Sequence, residues 1–114
     1  MVLADGGKVG IDMARSRRPD VIILDILMPE IDGWSVLRTL KADPSTEQIP
    51  VVMASILDER NRGFSLGASD YLSKPVDKKN LLKSIEKFVG QANGQLILVV
   101  EDDLDLQYLM QENF

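Results

Sequence analysis

The sequence predicts an α/β fold, a five-stranded parallel sheet with helices on both faces. Two short, continuous apolar runs rich in β-branched residues, 21–24 and 96–100, read as strands buried on both faces, the pattern of parallel sheets. Helical patterns alternate with such runs along the chain, which implies crossover connections and a covered sheet. A length of 114 residues, with 45% hydrophobic and 27% charged, suits a single domain with a real core and no disordered tract.

The elements follow in order. Residues 1–4 read as a short first strand, 8–17 as a helix and 21–24 as the second strand. A helix is expected over 34–42, a third strand over 51–54 and a helix over roughly 59–66. The fourth strand is expected over 71–73, a helix over 78–89, the fifth strand over 96–100 and a last helix from Leu104 onward. The helix over 78–89 has the clearest stripe: Leu81, Leu82, Ile85, Phe88 and Val89 share one face and are read as core. Asp77 suits its N-cap and Gly90 its end. Residues 90–95, with Gly90, Asn93 and Gly94, read as a linker.

Composition excludes several chemistries. The chain has no cysteine and no histidine, so disulfides, thiolate or imidazole metal sites and Ser-His-Asp catalysis are out. Carboxylates, hydroxyls and lysines are left to act. A net charge of -5 gives no footprint for nucleic acid or an anionic membrane. No run approaches the roughly 20 apolar residues of a membrane span, and a cytoplasmic location is expected. Arg15, Arg17 and Arg18 read as a solvated helix end, Asp20 and Asp70 as turn residues, and Trp34 as partly buried core or surface.

Ligands of open parallel sheets bind beyond the carboxyl ends of the strands. There the chain puts Asp25, Ser55 and Lys74, each after an apolar run, and the acidic Glu101, Asp102 and Asp103 after the last. Any one of these acids is equally well a helix cap or a solvated turn. Together they would repel one another without a cation, and such hard oxygen donors suit Mg²⁺. A lysine to pair with phosphate and a hydroxyl to donate complete a set fit for phosphoryl transfer to an aspartate.

These residues resemble the response-regulator receiver domain of two-component signalling. The segment Leu24-Asp25-Ile26-Leu27-Met28-Pro29-Glu30-Ile31-Asp32-Gly33 is similar to the family's phosphoacceptor strand and loop, and Ser55 matches its Ser/Thr position. Gly67-Ala68-Ser69-Asp70-Tyr71-Leu72-Ser73-Lys74-Pro75 resembles its last-strand motif, and Val99-Val100-Glu101-Asp102 its opening strand with an acidic pair. The resemblance implies a flavodoxin-like three-layer sandwich. It makes Asp25 the phosphoacceptor, Lys74 and Ser55 its catalytic partners, and Ser55 with Tyr71 the switch pair. It implies Mg²⁺ held by Asp25, Asp102, Glu101 through water and the backbone carbonyl of Leu27. The implied donor is a histidine kinase or histidine phosphotransfer domain, and the implied recipient is an output domain or partner protein. No stand-alone enzyme is expected beyond self-catalysed aspartyl phosphorylation and dephosphorylation. Leu27 and Leu57 flank the phosphoryl group by the same resemblance, and their apolar side chains predict slow dephosphorylation.

The order departs from the family's. Residues 1–89 correspond to its second strand through last helix, and 96–114 to its first strand and helix, joined by 90–95, so the whole of 1–114 is read as one receiver. Either circular permutation or excision from tandem receivers gives this order. The strand order then reads first, fifth, second, third, fourth, with the final helix on the same face as 78–89. A monomer is expected, with a segment-swapped dimer as the alternative. Two rival functions remain: a receiver-shaped interaction module that is never phosphorylated, and a Mg²⁺-dependent phosphatase. The phosphatase would carry a second acid where Leu27 stands.

Overall fold

β-Branched and aliphatic side chains suit a pleated surface covered on both sides, and each apolar run of the sequence becomes such a strand. In the computed structural model the described residues are 2–4, 6–26, 32–55, 65–73, 78–89 and 96–100. Among them β1 (Val2–Ala4), β2 (Val21–Asp25), β3 (Val51–Ser55), β4 (Asp70–Ser73) and β5 (Ile97–Val100) form one parallel sheet, ordered β1-β5-β2-β3-β4. The last strand in the chain thus lies between the first two, the order expected from the sequence. Every residue of β2 and β5 is buried.

Boundaries shift slightly from the expected ones, because backbone pairing continues past the apolar runs. β2 and β3 extend to Asp25 and Ser55, which pair with Ala54 and Ser73, and β4 starts at Asp70 opposite Val52. Helices α1 (Gly7–Arg17), α2 (Gly33–Ala42) and α3 (Lys78–Val89) match three of the expected helices, the first two starting one residue early. The expected helix from Leu104, the cap at Asp77, the stop at Gly90 and all but the last two positions of 59–66 lie outside the described residues.

Alternation along the strands divides the core into two layers. Ile22, Leu24, Met53, Leu98 and Val100 pack with Ile11 and Ala14 of α1 and with Trp34, Leu37 and Leu40 of α2. Val21, Ile23, Val52 and Val99 pack on the other face with Leu81 and Ile85 of α3. The α3 stripe is as expected at Leu81 and Ile85, with Leu82 and Phe88 half-buried. Trp34 is core rather than surface, at 5% exposure.

Of two acids expected to be turn residues, Asp20 lies in a bend and Asp70 opens β4, and both act as staples. Asp20 donates its backbone N–H to the Leu96 carbonyl, and its carboxylate accepts the Leu96 N–H, both at 2.8 Å. This pins the entry of β5 beside that of β2. The Asp70 carboxylate accepts from the Tyr71 N–H at 2.8 Å, the Ser84 hydroxyl at 2.8 Å and the Lys87 ammonium at 3.3 Å, tying α3 to β4. Burial on its own would raise the Asp70 pKa, but the bonds from Ser84, Tyr71 and Lys87 together outweigh it and the pKa is lowered.

The far end of α2 is held in the same way. The Arg15 guanidinium, expected to be simply solvated, donates to Asp43 at 2.6 Å. Asp43 also accepts from the Ser45 backbone and hydroxyl, and those bonds, ahead of Arg15, lower its pKa from 3.8 to about 2. The buried Thr46 hydroxyl donates to the Leu40 carbonyl at 2.7 Å, and the Lys41 ammonium donates to the carbonyls of Glu47 and Ile49. Partial burial lowers the Lys41 pKa, against the opposing charge of Glu47.

Candidate functional site

The carboxyl ends of four neighbouring strands finish nearly level. Val100 of β5 lies opposite Leu24, Asp25 of β2 opposite Ala54, and Ser55 of β3 opposite Ser73 of β4. β2 is the middle strand of the five, and Asp25 is its last residue. The Asp25 side chain is buried, at 3% exposure, an unusual state for a carboxylate and one that calls for hydrogen-bonding or cationic partners.

Backbone bonds fix the strand end. The Ile26 N–H donates to the Ala54 carbonyl at 3.2 Å, carrying the β2–β3 ladder one residue past Asp25. The Ile26 carbonyl in turn accepts the Gly33 N–H at 2.7 Å, which brings the first turn of α2 back onto β2. Asp32 caps that turn, its carboxylate accepting the Ser35 N–H at 2.8 Å, as a residue of its type does at a helix start. In the sequence Gly33 is simply the last position of the 24–33 motif. The signal that marks it is structural: its missing side chain is what allows the helix start to touch the strand.

Tyr71 sits in β4 opposite Met53, 1% exposed, within the core layer that also holds Met53, Ala68 and Trp34. Its backbone N–H is held by Asp70, so the carboxylate that anchors α3 also anchors the strand that carries Tyr71.

Of the residues singled out in the sequence, Asp25 and Tyr71 are described in full and Ser55 by its backbone. Lys74, Leu27, Leu57, Glu101 and Asp102 lie outside the described residues. Among the described residues no three potential ligand side chains gather at one point; of the expected Mg²⁺ donors, those residues include Asp25 alone. Nor is any described helix long and apolar enough to cross a membrane.

Known proteins share both sequence and shape. The chain is 43% identical over 88 residues to the response regulator PleD of Caulobacter vibrioides, covering 72% of this chain and 19% of that protein, so it spans about a fifth of PleD. It is 41% identical over 85 residues to protein PilH of Pseudomonas aeruginosa, covering 72% of this chain and 70% of PilH. Among solved structures, the receiver domain of a histidine kinase from Syntrophus aciditrophicus superposes with a TM-score of 0.66 at 31% identity, over 79% of this chain and 70% of that one. The receiver domain of a sensor histidine kinase from Pseudomonas aeruginosa, solved with magnesium coordinated in its active-site cleft, superposes with a TM-score of 0.70 at 26% identity, over 79% of this chain and 76% of that one. A family model for the response regulator receiver domain matches residues 1–86, three-quarters of the chain, and the chain belongs to that family.

Proposed function

We propose that the chain is a phosphoacceptor of a two-component phosphorelay, in which Asp25 takes a phosphoryl group from a phosphohistidine on a histidine kinase or histidine phosphotransfer domain. The observation that carries this reading is a carboxylate of 3% exposure at the carboxyl end of the middle strand, the place where parallel sheets bind their ligands. An Asp25 carboxylate oxygen attacks phosphorus as the phosphorus–nitrogen bond to the donor imidazole breaks, and the imidazole leaves with that electron pair. The donor histidine comes from the partner, since this chain has none. The chain as a whole, 1–114, acts as one receiver unit.

The donor chemistry fits Mg²⁺. β5 ends at Val100, beside Leu24, and the next residues in sequence are Glu101 and Asp102. With Asp25 they offer hard oxygen donors, Glu101 through a water, and the Leu27 carbonyl adds another. Bound there, the ion offsets the negative charge that gathers when phosphoryl and carboxylate meet. Lys74 pairs with a phosphoryl oxygen and the Ser55 hydroxyl donates to another. The Ser55 hydroxyl is drawn toward the phosphoryl group, and the Tyr71 ring, buried in this structure, follows it, a switch read by an output domain or partner.

Acetyl phosphate with Mg²⁺, followed by intact mass, tests the reading. The wild-type chain is expected to gain one phosphoryl mass and Asp25→Asn none. Uptake by Asp25→Asn at the wild-type rate removes Asp25 from the role, and no uptake by the wild-type chain favours an interaction module that is not phosphorylated.

A further inference from the structure

We infer that Gly33 is a positioning residue for Asp25, acting through backbone contact at the start of α2. A Cβ on Gly33 would overlap the Asp25 carbonyl oxygen, lie 2.6 Å from the Ile26 Cα and lie 2.9 Å from the Asp25 carbonyl carbon. All three are backbone atoms, so no side-chain rotation relieves the overlap. Gly10 makes the contrast: the three atoms nearest a Cβ there all belong to the Val100 side chain, at 2.6, 2.7 and 3.2 Å. Gly33 is helical, and among the described glycines only Gly67 has a positive φ, so the need at position 33 is for space rather than for a special conformation.

The contact is two-sided. The Gly33 N–H holds the Ile26 carbonyl at 2.7 Å, and the absent side chain lets the helix start rest on the Asp25 carbonyl. Asp32 fixes the same turn through Ser35. Any side chain at position 33 must move either α2 or the peptide that carries the Asp25 side chain. Because α2 is tied to α1 at its other end by the Arg15–Asp43 pair and packs Trp34, Leu37 and Leu40 into the core, the strand end shares the movement. Displacing a reacting group by about 1 Å costs up to roughly a hundredfold in rate.

This inference rests on Asp25 being the acceptor. The test measures phosphoryl uptake from acetyl phosphate with Mg²⁺, by intact mass, in the full chain at a temperature where each variant remains folded. Thr46→Val is the control, since it removes a buried hydrogen bond from the opposite end of α2 and lowers stability without touching the strand end. Gly33→Ala is expected to slow maximal uptake at least about tenfold beyond Thr46→Val. Comparable slowing in both variants, in proportion to their loss of Tm, overturns the inference and leaves a packing role. If Gly33→Ala does not fold, Asp32→Ala carries the test, because it loosens the same turn without adding bulk. A rate for Asp32→Ala within about twofold of the control then overturns the inference, and a larger loss supports it. Failure of the underlying reading looks different: the wild-type chain itself takes up nothing, or Asp25→Asn still does.

Discussion

At the scale of single residues, described carboxylates such as Asp20, Asp43 and Asp70 make bonds that sequence pattern does not show. Asp70 is the clearest, with Tyr71, Ser84 and Lys87 all donating to one side chain. Ser84 is buried at 2% exposure, so Asp70→Ala leaves its hydroxyl without that acceptor. The expected loss is about 1–3 kcal/mol, read from urea denaturation, and a midpoint equal to wild type would remove Asp70 from the fold's supports. The pH dependence has a definite sign. The pKa values of Asp70 and Asp43 are lowered on folding, so their contribution is present above the ordinary carboxylate range. It is lost as pH falls, for Asp43 down through about 2. Stability is therefore expected to fall with acid below about pH 4, with a smaller fall in Asp70→Ala.

At the scale of elements, apolar burial places the strands and helices, and polar bonds align some of them. β5 illustrates both. Its side chains fill both core layers, yet its register against β2 is marked at the entry by Asp20, which holds both the N–H and the carbonyl of Leu96. Asp20→Ala removes the acceptor of the Leu96 N–H and keeps the backbone bond. The expected outcome is a loss of about 1 kcal/mol and faster amide exchange at Leu96. Unchanged protection at that amide would show the register to be held by packing alone. Gly10 belongs at this scale too: α1 lies so close to β5 that a Cβ at position 10 would meet the Val100 methyls.

At the scale of the whole molecule, the sheet depends on a strand that arrives last in the chain. β5 joins β1 to the other three strands, so without it β1 has no partner and β2 has an open edge. Ile97, Leu98, Val99 and Val100 are each 3% exposed or less. Burying each such side chain is worth about 1.5–3 kcal/mol, and four of them are comparable with the entire ~5–15 kcal/mol stability of a domain. Deleting residues 90–114 is accordingly expected to unfold the chain, seen as loss of the cooperative thermal transition. A truncated chain that melts like the full one would show that β1 to β4 form a sheet of their own.

What the amino-acid sequence determined by itself is the family and the existence of the described strands and helices. Apolar runs such as Ile22, Ile23 and Leu24, the stripe through Leu81 and Ile85, and the spacing of Asp25, Ser55 and the Tyr71 segment are local patterns, readable without knowing what lies opposite. The strand order was also legible, as what the family resemblance implies for residues 96–100, and the wholly apolar character of that strand suits an interior place in a covered sheet. The tertiary structure alone decided which carboxylate bonds to which group, and where a glycine is required for space. Asp20 and Leu96 are 76 residues apart, and Asp70 reaches Lys87 across 17. The physical reason is range. Hydrophobic burial depends on a residue's own type and its period along the chain, whereas a hydrogen bond or a backbone contact depends on angstrom-scale distances that exist only after distant segments have packed.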